Sequence, residues 1–118
     1  MQRILEKLPE EVKRSLHSMQ ELGIPDLAWP LDDISDVLRA LKGQNLAILG
    51  GDVYEEQGGR MRPTSDSWHC DRDRTEPYWQ YVQRCWQRAW EYTLTHPRAI
   101  GTVRYVSLVF SDDAGVGL

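Results

Sequence analysis

The sequence predicts an α+β domain: a small antiparallel sheet packed by helices, with elements in the order α-α-β-β-α-β. Three observations carry this. Leu46-Ala47-Ile48-Leu49 runs into Gly50-Gly51-Asp52-Val53-Tyr54 and reads as a buried strand. Residues 76–95 place their apolar side chains on one half of a helical wheel. Residues 103–110, Val-Arg-Tyr-Val-Ser-Leu-Val-Phe, are β-branched and aromatic, which suits a strand.

The elements follow in order. Residues 4–22 carry Leu5, Leu8, Val12, Leu16, Met19 and Leu22 at three- and four-residue steps, an amphipathic helix pattern. Pro9, Glu10 and Glu11 suit its start, and Gly23 its end. Residues 24–30 read as a connector, because Pro25 and Pro30 push their predecessors out of the helical region. Trp29 within it is expected to be a buried anchor. Ile34, Val37, Leu38 and Leu41 mark a second, short helix stopped at Gly43.

The first strand spans residues 46–56. Its Gly50-Gly51 pair permits a bulge or a close backbone approach, since glycine has no Cβ. Gln57-Gly58-Gly59 signals a hairpin, and Arg60-Met61-Arg62 begins the return strand. Pro63 either ends that strand or confines it to an edge. Residues 64–73 read as irregular around Trp68. The third helix spans residues 76–95, with Tyr78, Tyr81, Val82, Cys85, Trp86, Ala89, Trp90 and Tyr92 on its apolar half. Trp79, Trp86 and Trp90 line one edge of that half and are expected to pack on the sheet. In the last strand Val106, Leu108 and Phe110 share one face, and Tyr105, Ser107 and Val109 the other. Residues 111–118 are expected to fray.

A chain of 118 residues is one domain of ordinary size, taken here as 1–118. It buries roughly two-thirds of its unfolded surface, enough to fold without disulfides or a structural metal. Hydrophobic residues make up 41% and charged residues 27%, a globular balance. Net charge is −4, and all of it lies in residues 1–60, which hold eleven acids against seven bases. Asp26, Asp32, Asp33, Asp36, Asp52, Glu55 and Glu56 face only Arg39 and Lys42 between positions 26 and 56. That balance argues against a nucleic-acid partner and fits a basic protein partner. Met1-Gln2-Arg3 leads into a charged amphipathic segment, not an apolar signal region, and no apolar run approaches the roughly 20 residues of a membrane span. A cytoplasmic protein with Cys70 and Cys85 as free thiols is expected.

No motif for catalysis or cofactor binding stands out. Trp68-His69-Cys70-Asp71 holds three potential metal ligands, but neighbours in sequence rarely converge on one ion. Cys70 or Cys85 with a histidine has the residue types of a nucleophilic pair without a supporting signature. Gly50-Gly51 lacks the lysine and hydroxyl that complete a phosphate loop. Asp52 and Asp66 supply paired carboxylates for a small hydrolase with His69, provided burial raises the pKa of one.

Leu22-Gly23-Ile24, Ala28-Trp29, Ala47-Ile48-Leu49-Gly50-Gly51-Asp52-Val53-Tyr54, Pro63-Thr64, Asp66, Trp68, Asp71, Tyr81, Ala89 and Tyr105 with Ser107-Leu108-Val109-Phe110 together resemble the immunity protein 40 family of bacterial polymorphic toxin systems. The resemblance spans about residues 20–110. It implies a cytosolic, non-enzymatic antitoxin that binds a cognate toxin and neutralises it by stoichiometric occlusion, with no cofactor. Among the acidic and aromatic residues that emerge at strand ends, Asp52, Tyr54, Glu55 and Glu56 are the leading contact candidates, followed by Asp66, Trp68 and Asp71. Each has a structural alternative: Asp52 as a turn cap, Tyr54 and Trp68 as core. Two other functions stay open, the carboxylate-dependent hydrolase and an adaptor that joins a larger assembly through the tryptophan edge of the third helix.

Overall fold

The strand signals of the sequence close into one antiparallel sheet in the computed structural model, which describes Glu10, Lys13 and residues 16–18, 27–43, 46–96 and 102–111. The elements are β1 (His17–Ser18), β2 (Leu27–Pro30), a 3-10 turn at Leu31–Asp33, α1 (Ile34–Leu41), β3 (Ile48–Gln57), β4 (Arg60–His69), α2 (Tyr78–Thr95) and β5 (Val103–Phe110). The sheet order is β2-β5-β3-β4, with the two-residue β1 added outside β2. The α+β class therefore stands, and α1 and α2 pack on one side of the sheet.

Three segments differ from the sequence reading. The helix expected over residues 4–22 does not extend through its C-terminal third. Glu10 and Lys13 are helical, but His17 and Ser18 are extended and pair with Ala28 and Leu27. Pairing in the sheet overrides a weak helical preference; the remainder of that stretch, like the tail from 112 to 118, lies outside the described residues. The connector at 24–30 contains β2, because Trp29 has a strand partner in Val106 and is wholly buried there. The irregular stretch expected from Thr64 is strand as far as His69.

That last difference has a local cause. Asp52 pairs with Ser67 and Tyr54 with Pro63, so Thr64, Ser65 and Asp66 stand opposite Val53 alone, a β-bulge. The Thr64 hydroxyl donates to the Val53 carbonyl at 2.7 Å and accepts from the Asp66 N–H at 3.0 Å. A side chain thus replaces the ladder bonds that the bulge removes. Pro63 is tolerated because β4 is an edge strand.

The core lies between the sheet and the two helices. Ile34, Val37, Leu38 and Leu41 are all at most 5% exposed and follow the i, i+3, i+4, i+7 rule on α1. Each contributes about 1.5–3 kcal/mol by burial, which holds a helix too short to stand alone in water. They meet Trp29, Ile48, Val53, Trp68, Val106 and Leu108 from the sheet and Ala89 from α2. On α2 the buried line is Tyr81, Cys85, Ala89 and Thr93. Trp86 and Trp90 pack toward α1: the Trp86 indole N–H donates to the Leu38 carbonyl at 2.7 Å, and the two rings stack at 5.2 Å. Trp79, expected in the same packed edge, is 59% exposed.

Gly50 and Gly51 both sit against Trp68 with no room for a Cβ. A Cβ on Gly50 would stand 2.3 Å from the Trp68 carbonyl oxygen, and one on Gly51 would stand 2.3 Å from the Trp68 ring. The same ring stacks on Tyr92 of α2 with centroids 4.6 Å apart. Gly51→Ala is expected to destabilise the fold by about 1–3 kcal/mol through overpacking. Urea denaturation would show a lower midpoint, and the loss should shrink in a Trp68→Phe background, which removes the ring atoms that Cβ meets.

Candidate partner-binding surface

Side chains alternate across a strand, and this decides which candidate residues can act together. Cross-strand pairing places Ser67, Asp52 and Ser107 in one row, Pro63, Tyr54 and Tyr105 in the next, and Met61, Glu56 and Val103 in a third. These rows lie on the side of the sheet away from α1 and α2. Asp52 and Glu56 are half-buried there, and Tyr54 is only 6% exposed, packed with Ala28 and Tyr105. Burial raises the Tyr105 pKa, with a smaller contribution from the Glu56 charge beside it. Asp71 follows β4 at the exposed end, 3.6 Å from the His69 ring.

Glu55, Asp66 and Trp68 belong to the helix side. Glu55 lies 3.7 Å from Arg62 and 4.0 Å from Arg104, and Asp66 lies 3.9 Å from Arg104 and 3.7 Å from His96. Arg104 donates to His96 Nε2 at 2.6 Å; a guanidinium has no acceptor, so that ring nitrogen carries no proton. Trp68 is 5% exposed, and its indole N–H meets no acceptor among the described residues. Six of the seven candidates therefore divide into two groups on opposite sides of the sheet, and Asp71 lies beyond the end of β4. Neither Asp52 nor Glu56 takes part in an ion pair with a described residue, whereas Glu55 and Asp66 share Arg104. The carboxylates of the hydrolase alternative, Asp52 and Asp66, are among those the sheet separates.

Sequence reasoning passed over Arg104. The signal was present, because Arg104 occupies the same face of β5 as Val106 and Leu108, where a charge requires partners.

A second polar cluster fixes the chain between β4 and α2. Arg84 donates to the Asp71 carbonyl at 2.6 Å, to Glu76 at 2.5 Å and to the Cys70 sulfur at 3.3 Å. The Tyr81 hydroxyl donates to the Cys70 carbonyl at 2.8 Å. Cys70 and Cys85 are both buried and free. Burial, with a hydrogen bond to Cys70, pushes the Cys85 thiol up to about 12, so at neutral pH it is a protonated packing group and not a nucleophile. Among the described residues no three His, Cys, Asp or Glu side chains converge as a metal site would require, and no helix is long and apolar enough to cross a membrane.

The chain is thus a small α+β domain with charged side chains grouped along its strands. A family model described as immunity protein 40 matches residues 18–110, and the chain belongs to that family. No curated protein and no solved structure matches it. Membership brings an immunity role in general and implies a cognate toxin as partner.

The polar cluster around Arg84 and Thr75 is expected to make the fold acid-sensitive. The Arg84 hydrogen bonds hold the Glu76 carboxyl below its ordinary value of 4.5, and the Thr75 hydrogen bonds hold Asp73 below 3.8. A carboxyl with a depressed folded pKa stabilises fully above its unfolded value and loses that contribution as pH falls through the folded one. Thermal melts should therefore drop in midpoint below about pH 4.5, and Glu76→Gln should flatten part of that slope while lowering the midpoint at pH 7.

Proposed function

We propose that the protein binds its cognate toxin in the cytoplasm as a stoichiometric complex and neutralises it by occlusion, without catalysis or cofactor. The observation that supports this best is the unequal commitment of its acids. Glu55 and Asp66 are engaged by Arg104 inside the molecule, whereas Asp52 and Glu56 are not ion-paired among the described residues. Asp52, Glu56 and the exposed Asp71 then offer charge to a basic surface of the toxin. Such charges speed encounter and reject partners of the wrong sign. Tyr54, with so little surface, enters this reading as a rigid support for the acids beside it, while Trp68, Glu55 and Asp66, on the helix side of the sheet, enter it only through the strands that they share with that face. The same acidic balance gives no reason to invoke a nucleic acid or a membrane as partner.

The test is titration of the toxin with the purified protein, preceded by a pull-down from the native bacterium that identifies it. Toxin activity should fall to zero at one equivalent. Asp52→Lys should weaken binding about ten- to hundredfold, the range of a lost charge pair, with the thermal melt retained. Unchanged affinity in that variant, or a collapsed melt, removes Asp52 from the contact surface.

A further inference from the structure

A groove of about 730 Å³ runs between the end of α1 and the first half of α2, away from the acidic rows. Leu41, Leu46, Val82 and Trp86 give it an apolar lining, and Trp79 stands at its wall 59% exposed. The other large apolar side chains exposed among the described residues, Leu94, Val103 and Val109, lie outside it. Two features make the Trp86 wall rigid: its indole is fixed to the Leu38 carbonyl at 2.7 Å, and its ring stacks on Trp90. The rest of the lining is amide and cationic. Gln80, Gln83 and Gln87 follow one another along α2, and Lys42 and Arg84 complete the rim.

The charge of this groove is opposite to that of the chain. No Asp or Glu is among its described lining residues, although the chain holds 18 acids against 14 bases. Arg84 is already committed to Glu76 at 2.5 Å. The Lys42 ammonium instead lies over the Trp86 ring, 4.9 Å from its centroid, and no carboxylate pairs with it among the described residues. It is the one lining cation left to meet an incoming anion. Glutamine amides supply both donors and acceptors, which suits the backbone of a peptide laid along the helix. An exposed tryptophan at the wall of a groove is a residue type enriched among the anchors of interfaces.

We infer that this groove is a second docking site for the toxin, and that it takes an apolar segment carrying a carboxylate that reaches Lys42. The inference rests on the toxin-binding reading above. Two sites of opposite charge on one small domain would set the orientation of the complex, since a partner turned around would place like charges together.

The experiment is calorimetric titration of the purified toxin domain into wild type, Trp79→Ser, Lys42→Glu and Leu94→Ser, with a thermal melt of each. Trp79→Ser is expected to bind about tenfold or more weakly with an unchanged melt, because the ring is exposed. Lys42→Glu is expected to weaken binding as well, by a margin that shrinks in high salt. Leu94→Ser, on the same helix but outside the groove, is expected to bind as wild type. Wild-type affinity in both groove variants overturns the site and leaves the immunity reading intact. Tighter binding by Lys42→Glu overturns the carboxylate-bearing segment. An equal loss in Leu94→Ser overturns the assignment to the groove, and no binding by wild type overturns the toxin-binding reading and this site together.

Discussion

The position of the Trp68 ring between Gly51 and Tyr92 sets the spacing of the whole molecule. The ring lies so close to Gly51 that a Cβ there would be 2.3 Å from it, and its other face stacks on α2 at 4.6 Å. One side chain thereby joins the edge strand, the central strand and the long helix. The arrangement has a cost, since the buried indole N–H meets no acceptor among the described residues. Leaving a buried donor unpaired costs about 1–3 kcal/mol. Burying an indole of about 150–250 Å² returns about 4–6 kcal/mol at the usual area coefficient. Packing wins, and the glycine pair is what lets the ring come close enough to win.

With that spacing set, strand alternation sorts the charges. Gly51, Val53 and Glu55 of β3 face the helices, and Asp52, Tyr54 and Glu56 face away. A cation on the helix side has to be answered locally, and Arg104 is answered by Glu55, Asp66 and the unprotonated nitrogen of His96. The acids on that side are therefore tied to the fold. Those on the other side are not, so the same residue type is committed to the fold on one face and has no ion pair among the described residues on the other.

What the sequence made legible was whatever is local and periodic. The strand from 46, the turn at Gly58 and Gly59 with φ of +61° and +80°, the long helix and the alternation of β5 all follow from neighbouring residues. What it concealed depends on distant pairing. Pro25 and Pro30 mask β2, whose Trp29 finds its partner 77 positions away at Val106. A run of polar residues after Pro63 masks the second half of β4, because the bulge there is closed by a hydroxyl and not by a periodic pattern. The candidate site suffered from the same gap. With Thr64 onward read as irregular, Asp66 and Trp68 had no assignable face, and their separation from Asp52 could not be seen. The charge of Arg104 on an otherwise apolar strand face was the available clue.

The edge strand is built against backbone pairing, which suits the proposed recognition through side chains. A ten-residue edge offers a row of backbone groups to any passing strand, a hazard for a protein whose role depends on one partner. Here Pro63 has no N–H to offer, and the bulge from Thr64 to Asp66 turns its own backbone inward through the Thr64 hydroxyl. Arg60 and Arg62 add exposed charge before it. Backbone pairing is sequence-tolerant, whereas carboxylates on a proposed contact surface, such as Asp52 and Glu56, would discriminate by sign and position. Blunting the edge disfavours the tolerant mode of binding; on the proposed reading the selective one remains, and a change of partner would be reached through single side chains without disturbing the sheet that holds them.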